Sequence, residues 1–236
     1  MRYEFIPQKI KIELKKFCGY RLWKKPSNMG LYAIGADVAE GVGGDASCMA
    51  VVDCATGMHV CTYWSNMVDM DNFSAEIFKT GSWFNKAAVC IEVNNHGRAV
   101  VALLGGAVGS LAYPNLYKRI TYNEFTAKKE KTIGFYTGPQ TKPRLIENFK
   151  SALKSGEFVT QDRELIQELS SFIKDQKTGK MGAKGKAHDD RVMAAALAWE
   201  QARIIRANLE ATDQDDAPVV EYDKMTGFPI GHGYEY

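Results

Sequence analysis

The residues best suited to chemistry are four carboxylates. Asp37 sits inside the apolar run LYAIGADV, just before the Gly-rich turn EGVGGD. Glu92 interrupts the apolar run AVCIEV. Asp189 and Asp190 stand side by side at the start of a long helical pattern. Each has an ordinary role available. Asp37 can accept from turn amides, Glu92 can face solvent on strict alternation, and one member of the pair can cap its helix. A lone Glu inside an apolar strand is nevertheless expensive unless it is paired or bound to a cation. If the two strands are neighbours and the helix packs over the same sheet end, all four acids meet. Such a cluster repels itself unless cations sit in it. Hard divalent ions with oxygen ligands, Mg²⁺ or Mn²⁺, suit it best. The matching chemistry is phosphodiester cleavage by two ions about 3.5–4 Å apart.

Other polar residues flank these acids. Asp45 follows the turn glycines, His188 precedes the acid pair, and Asn94 follows Glu92 with Asn95 and His96. They are read as outer ligands or phosphate contacts, against the plainer roles of turn residue and helix cap. Lys128, Lys129 and Lys131 sit in one β-prone stretch. Lys180, Lys184 and Lys186, with Lys177, alternate with glycines just ahead of the acid pair. Both groups are candidates for sequence-independent phosphate contacts, or simply for solubility. Arg119, Lys142 and Arg144 are further candidates of the same kind.

The elements that must position these residues follow from hydrophobic periodicity. Residues 1–29 read as a basic, irregular arm. Three strands, Leu31–Val38, Ser47–Asp53 and Met58–Trp64, are joined by tight turns into an antiparallel meander. A helix over Asp71–Asn85, capped by Asp69 or Asp71, precedes a fourth buried strand, Ala87–Val93. Gly97–Leu104 reads as helix, and residues 117–137 as a hairpin or finger. Pro143–Lys154 is a helix with proline in its first turn and Gly156 as its stop. Arg163–Ile173 is a second helix, capped by Asp162. Lys174–Ala187 reads as a loop and Asp189–Asn208 as the long last helix. On a wheel at about 100° per residue, Asp189 falls on the sheet-facing arc and Asp190 at its edge. Residues 209–236 read as a flexible tail. The expectation is an α/β domain over residues 30–208, a mixed sheet of meander plus parallel strands flanked by helices.

Composition excludes other classes. Thirty Lys and Arg against 28 Asp and Glu leave a formal charge of +2, so nucleic acid would be held by a local basic surface. No run of about 18 apolar residues is present to span a membrane. The N-terminus lacks the apolar stretch of a secretory signal. Five cysteines without a CxxC pair read as reduced thiols.

Three segments taken together, IGADVAEGVGGDASCMAVVD, VCIEVNNHG and KAHDDRVMAAALA, resemble the C-terminal nuclease domain of tailed-phage terminase large subunits, a ribonuclease H-like fold. The resemblance covers roughly residues 30–205. One departure is the run Asp37-Val38-Ala39-Glu40-Gly41, which lacks the proline often found before the turn glycine. The resemblance implies an endonuclease that cuts double-stranded viral concatemers during genome packaging, with low sequence preference and two Mg²⁺ or Mn²⁺ ions. It implies that Asp37, Glu92, and Asp189 or Asp190 bind those metals. It also implies double-stranded DNA, a packaging ATPase domain, a portal protein and a small terminase subunit as partners, in the cytoplasm of an infected bacterial host and outside the mature virion. No G-x-x-x-x-G-K-S/T motif occurs, because GKMGAKGK at 179–186 has the wrong spacing. An isolated nuclease domain without its motor is therefore expected. Rival readings are another ribonuclease H-like nuclease of resolvase or integrase type, an actin- or sugar-kinase-like ATP-binding half, and a non-catalytic DNA-docking module.

Overall fold

The computed structural model describes residues 18–39, 46–94, 96–106, 111–123, 128–174, 181–183 and 188–212. The main sheet has five strands: β1 (Cys18–Leu22), β2 (Tyr32–Asp37), β3 (Ser47–Asp53), β4 (His59–Ser65) and β5 (Ala88–Ile91). Their order is β1-β4-β3-β2-β5. The meander β2–β3–β4 is antiparallel, as its tight turns require, and β5 lies parallel to β2. Between β4 and β5 the chain makes α1 (Met70–Trp83). After β5 it makes α2 (Gly97–Leu104). A two-stranded finger, β6 (Lys118–Asn123) with β7 (Lys128–Ile133), leads to α3 (Thr141–Ser155) and α4 (Arg163–Ser171). A short hairpin, β8 (Phe172–Lys174) with β9 (Met181–Ala183), precedes α5 (Asp190–Thr212).

Side chains alternate across a strand with period two, so each strand feeds two cores. Ile34, Ala36, Met49, Val51, Val89 and Ile91 pack with Phe73, Ile77, Val100 and Leu104 of α1 and α2. Ala33, Ala50, Val52 and Cys90 pack with Leu145 and Phe149 of α3, Leu165 of α4 and the alanine run of α5. The result is a helix–sheet–helix sandwich, the expected fold class. The local stop and start signals act as read. Asp69 caps α1 by accepting from the Asn72 N–H at 2.8 Å. Asp162 caps α4, and Gly156, in the left-handed region at φ 75°, closes α3.

Two segments differ from their sequence reading. Part of the stretch read as an irregular arm is strand β1, paired antiparallel with β4 at the sheet edge. Alternation explains it. Tyr20 rests against Tyr63 with ring centroids 4.8 Å apart, and its hydroxyl donates to Glu76 Oε2 at 2.7 Å. The basic residues that dominate the segment hide this pattern, and residues 1–17 lie outside the described residues. The loop expected over Lys174–Ala187 contains β9, and the helix expected to reach Ile173 stops at Ser171. Its last residues turn into β8, which β9 pairs. Cys48, Cys54, Cys61 and Cys90 are buried free thiols.

Candidate active site

The pleat decides where the first two acids point. Asp37 has the parity of Ala33 and Gly35, and Glu92 that of Cys90, so both belong to the face covered by α5. Ala36 pairs with Ile91, which sets Asp37 and Glu92 side by side where the parallel strands end. The Glu92 N–H donates to the Ala36 carbonyl at 2.9 Å and continues the ladder by one residue. Burial, then the charge of Glu92, then Asp190 and Asp189, hold the Asp37 carboxyl well above the ordinary carboxylate range. All four sequence-derived acids therefore act on one point.

The helix reaches this point because of a missing side chain. A Cβ on Gly35 would collide with the Ala194 carbonyl and the Ala198 N–H of α5. Glycine lets the helix backbone lie directly on β2, and the small side chains Ala194, Ala195 and Ala198 complete the fit. The N-terminus of α5 then projects over the strand ends. Asp190 is the more buried of the pair, its side chain 11% exposed against 29% for Asp189. This reverses the ranking from the helical wheel. The Asp189 carbonyl accepts from the Met193 N–H at 2.9 Å, so Asp189 is the cap residue, outside the helical phase that the wheel assumes.

Neighbouring groups hold the acids in place. The Thr137 hydroxyl donates to Glu92 Oε1, and Asn94 Nδ2 donates to the same oxygen at 3.1 Å and to the Thr137 carbonyl at 2.7 Å. Asn94 is where the sequence places it, near the acids. Thr137 is an addition, since a threonine after a finger carries no sequence signal of its own. Lys142 Nζ lies 3.5 Å from Asp189 Oδ2. His188 is exposed, with Nδ1 3.8 Å from Asp190 Oδ2. A Cβ added to Gly182 of β9 would sit 3.3 Å from Asp189 Oδ2, so the short hairpin passes beside the acid pair.

A further support is absent from the sequence reading. Glu168 of α4 is buried, and its Oε2 accepts from the backbone N–H groups of Arg191 at 2.9 Å and Val192 at 3.3 Å. Its Oε1 accepts from the Arg191 guanidinium at 2.7 Å. That guanidinium also lies 4.8 Å from the Trp64 ring centroid. Glu168 thus caps the first turn of α5 from another helix. The available signal is its position between Leu165 and Leu169 on the apolar stripe of α4. Lys128, Lys129 and Lys131 are exposed on β7. Asp45, Lys180, Lys184 and Lys186 lie outside the described residues.

The sequence model of the Terminase RNaseH-like domain matches residues 34–201, a span that contains all four acids. The chain belongs to this family. Among solved structures, the large terminase nuclease from thermophilic phage G20c is 22% identical. The match covers 77% of this chain and 88% of that one, with a TM-score of 0.58. Its magnesium-bound form matches at TM-score 0.61, covering 77% and 87%. The Thermus phage P74-26 large terminase nuclease domain is 22% identical at TM-score 0.57, covering 77% and 85%. No curated protein sequence matches. The sheet order, the parallel β2–β5 pair and the acid-bearing helix over it are thus the frame of a terminase ribonuclease H-like domain. No described helix is long and apolar enough to cross a membrane.

Proposed function

We propose that this terminase domain is a metal-dependent endonuclease that hydrolyses double-stranded concatemeric viral DNA during genome packaging, with low sequence preference. The observation that carries the reading is the convergence of Asp37, Glu92, Asp189 and Asp190 on one end of the sheet, where burial and then the neighbouring acids raise the Asp37 carboxyl above its ordinary range. A site that packs four acids together is arranged for a cation that offsets their charge. Among the described residues, no three His, Cys, Asp or Glu side chains stand at finished ligand spacing around one point. The donor set is made of hard carboxylate oxygens and fits Mg²⁺ or Mn²⁺. The magnesium-bound relative of the same fold supports that choice.

Asp37, Glu92, Asp190 and Asp189 are the residues that would hold two such ions. Bound there, the ions would acidify an attacking water and neutralise charge on the departing oxygen. The protein's own groups do the positioning. Thr137 and Asn94 fix one Glu92 oxygen and leave the other to the site. Lys142 offsets the charge of Asp189. Glu168 fixes the helix start that carries the pair. DNA is the substrate in this reading. The packaging ATPase domain, portal protein and small terminase subunit are its partners, in the cytoplasm of the infected host.

The test is cleavage of supercoiled plasmid with Mn²⁺ or Mg²⁺. The parent should nick and linearise plasmid, EDTA should stop it, and Asp37→Ala and Glu92→Gln should each lose at least about 10²-fold in rate, as expected when charge stabilisation at a reacting centre is removed. Cleavage by Asp37→Ala at the parent's rate would refute the assignment.

A further inference from the structure

One basic group lies outside the acid cluster and is not used by it. Arg119 of β6 is half-buried, and its Nε is buried without a hydrogen-bond partner. Its guanidinium lies 5.8 Å from the Tyr136 ring centroid, within the range of a cation–π contact. Burial lowers the Arg119 pKa most, and the charge of Arg98, exposed in the first turn of α2, acts in the same direction. No carboxylate among the described residues pairs with either arginine. Guanidinium groups without a carboxylate partner are well matched to a phosphate.

Its location gives the site meaning. Tyr136 lies between Phe135, which forms a β-bridge with Glu92, and Thr137, which donates to the Glu92 carboxylate. Arg98 follows Glu92 by six residues, and the turn between them is tight. A Cβ on Gly97 would collide with the Glu92 carbonyl. Both arginines are therefore anchored to the Glu92 side of the acid cluster. Lys142, by contrast, is already engaged by Asp189. A phosphodiester chain crossing the acids would leave them next to Arg98 and Arg119.

We infer that Arg98 and Arg119, the latter braced on Tyr136, form a seat for a backbone phosphate of duplex DNA beside the cleavage site. The inference rests on the nuclease reading and assigns these residues to substrate. Contact with a phosphate is sequence-independent, and each one formed steepens the salt dependence of binding.

The experiment uses the full chain carrying Glu92→Gln, so that DNA is bound and not cut. A labelled 30-base-pair duplex is titrated by fluorescence anisotropy between 50 and 200 mM NaCl. Arg98→Ala/Arg119→Ala should raise Kd about tenfold or more and flatten the log Kd against log salt slope by about 0.9 for each phosphate no longer neutralised. The change should be the same for two unrelated duplexes. Arg119→Lys should keep most of the slope and weaken binding a few-fold, because the forked donor is gone. Unchanged Kd and slope in the double variant would overturn the inference. Arg98 is exposed, so Arg98→Ala stays folded and decides the matter if Arg119→Ala does not fold. Plasmid cleavage by Glu92→Gln at the parent's rate would refute the nuclease reading alone, since anisotropy reports the phosphate seat separately.

Discussion

Glu168→Ala removes one side chain and strands three donors. The backbone N–H groups of Arg191 and Val192 lose the carboxylate that accepts from them at 2.9 and 3.3 Å. Loss of a helix cap costs about 1 kcal/mol. The Arg191 guanidinium, its side chain only 14% exposed, loses its partner at 2.7 Å. A charge-assisted bond broken at a partly buried site costs about 1.5–3 kcal/mol more. The sum, about 2.5–4 kcal/mol, overlaps the range for breaking a buried ion pair from one side. At about 2–4 °C per kcal/mol for a domain of this size, the melting temperature should fall by about 10 °C. Glu168→Gln keeps an acceptor for the backbone donors and loses only the charge, so about 1–2 kcal/mol is expected. Burial raises the Glu168 carboxyl above its ordinary range, against the pull of Arg191 and both backbone donors. Ionising this group is therefore itself costly. The double variant Glu168→Ala/Arg191→Ala should accordingly lose less than the sum of its parts. Because the same first turn carries Asp190, the half-saturating Mn²⁺ concentration for plasmid cleavage should rise about tenfold in Glu168→Ala, equivalent to about 1.4 kcal/mol. The assays are thermal melts in EDTA and a Mn²⁺ titration of cleavage. A melting temperature for Glu168→Ala within about 2 °C of the parent, or a milder effect than that of Glu168→Gln, would refute the reasoning.

Three further outcomes are expected. Asp37→Asn removes a carboxyl that burial and three acids disfavour, so melting in EDTA should rise by several degrees while Mn²⁺-dependent cleavage disappears; a fall in melting temperature would contradict the repulsion. Gly35→Val drives a branched side chain into the α5 backbone and should cost about 3 kcal/mol or more in melts, with cleavage lost as the helix start shifts. His59 is buried and held neutral, its pKa lowered to about 4 by burial against the opposing charge of Asp162. The unfolded chain protonates it near 6.5. Its contribution is therefore full above about pH 6.5 and is lost as pH falls toward 4, by up to about 3 kcal/mol. Melts of the parent and of His59→Gln across that window should converge or cross on acidification, and a constant gap would count against it.

The acids are legible because their positions break local rules. A Glu inside AVCIEV and an Asp inside LYAIGADV stand out against apolar neighbours, and the HDD run marks a helix start. What the sequence does not display is phase. A wheel treats Asp189 as helical, yet the chain enters α5 at Asp190 and leaves Asp189 as its cap. The strand Cys18–Leu22 is hidden among basic residues because an edge strand needs only one apolar face, here Tyr20 and Leu22. Thr137 and Glu168 act across 45 and 23 residues of chain. Only tertiary packing brings them to their targets, although the acid on the apolar stripe of α4 is visible as an anomaly.

The site is held by two devices of different strength. Asp37 and Glu92 belong to hydrogen-bonded neighbouring strands, and their separation is set by a ladder that runs through the core. Asp189 and Asp190 ride on a helix whose height above the sheet depends on Gly35 and whose first turn depends on Glu168. Repulsion among four acids acts on the part that yields most easily, and that is the helix start. A buried carboxylate bonded to the backbone of that turn opposes the push directly, while a bond to the Arg191 side chain alone would leave the turn free to fray. This explains why Glu168 commits one oxygen to two backbone donors when its charged partner lies within reach. It also separates the expected effects: strand substitutions such as Asp37→Asn should change chemistry and leave the frame stable, whereas Glu168→Ala and Gly35→Val should lose the frame and the chemistry together.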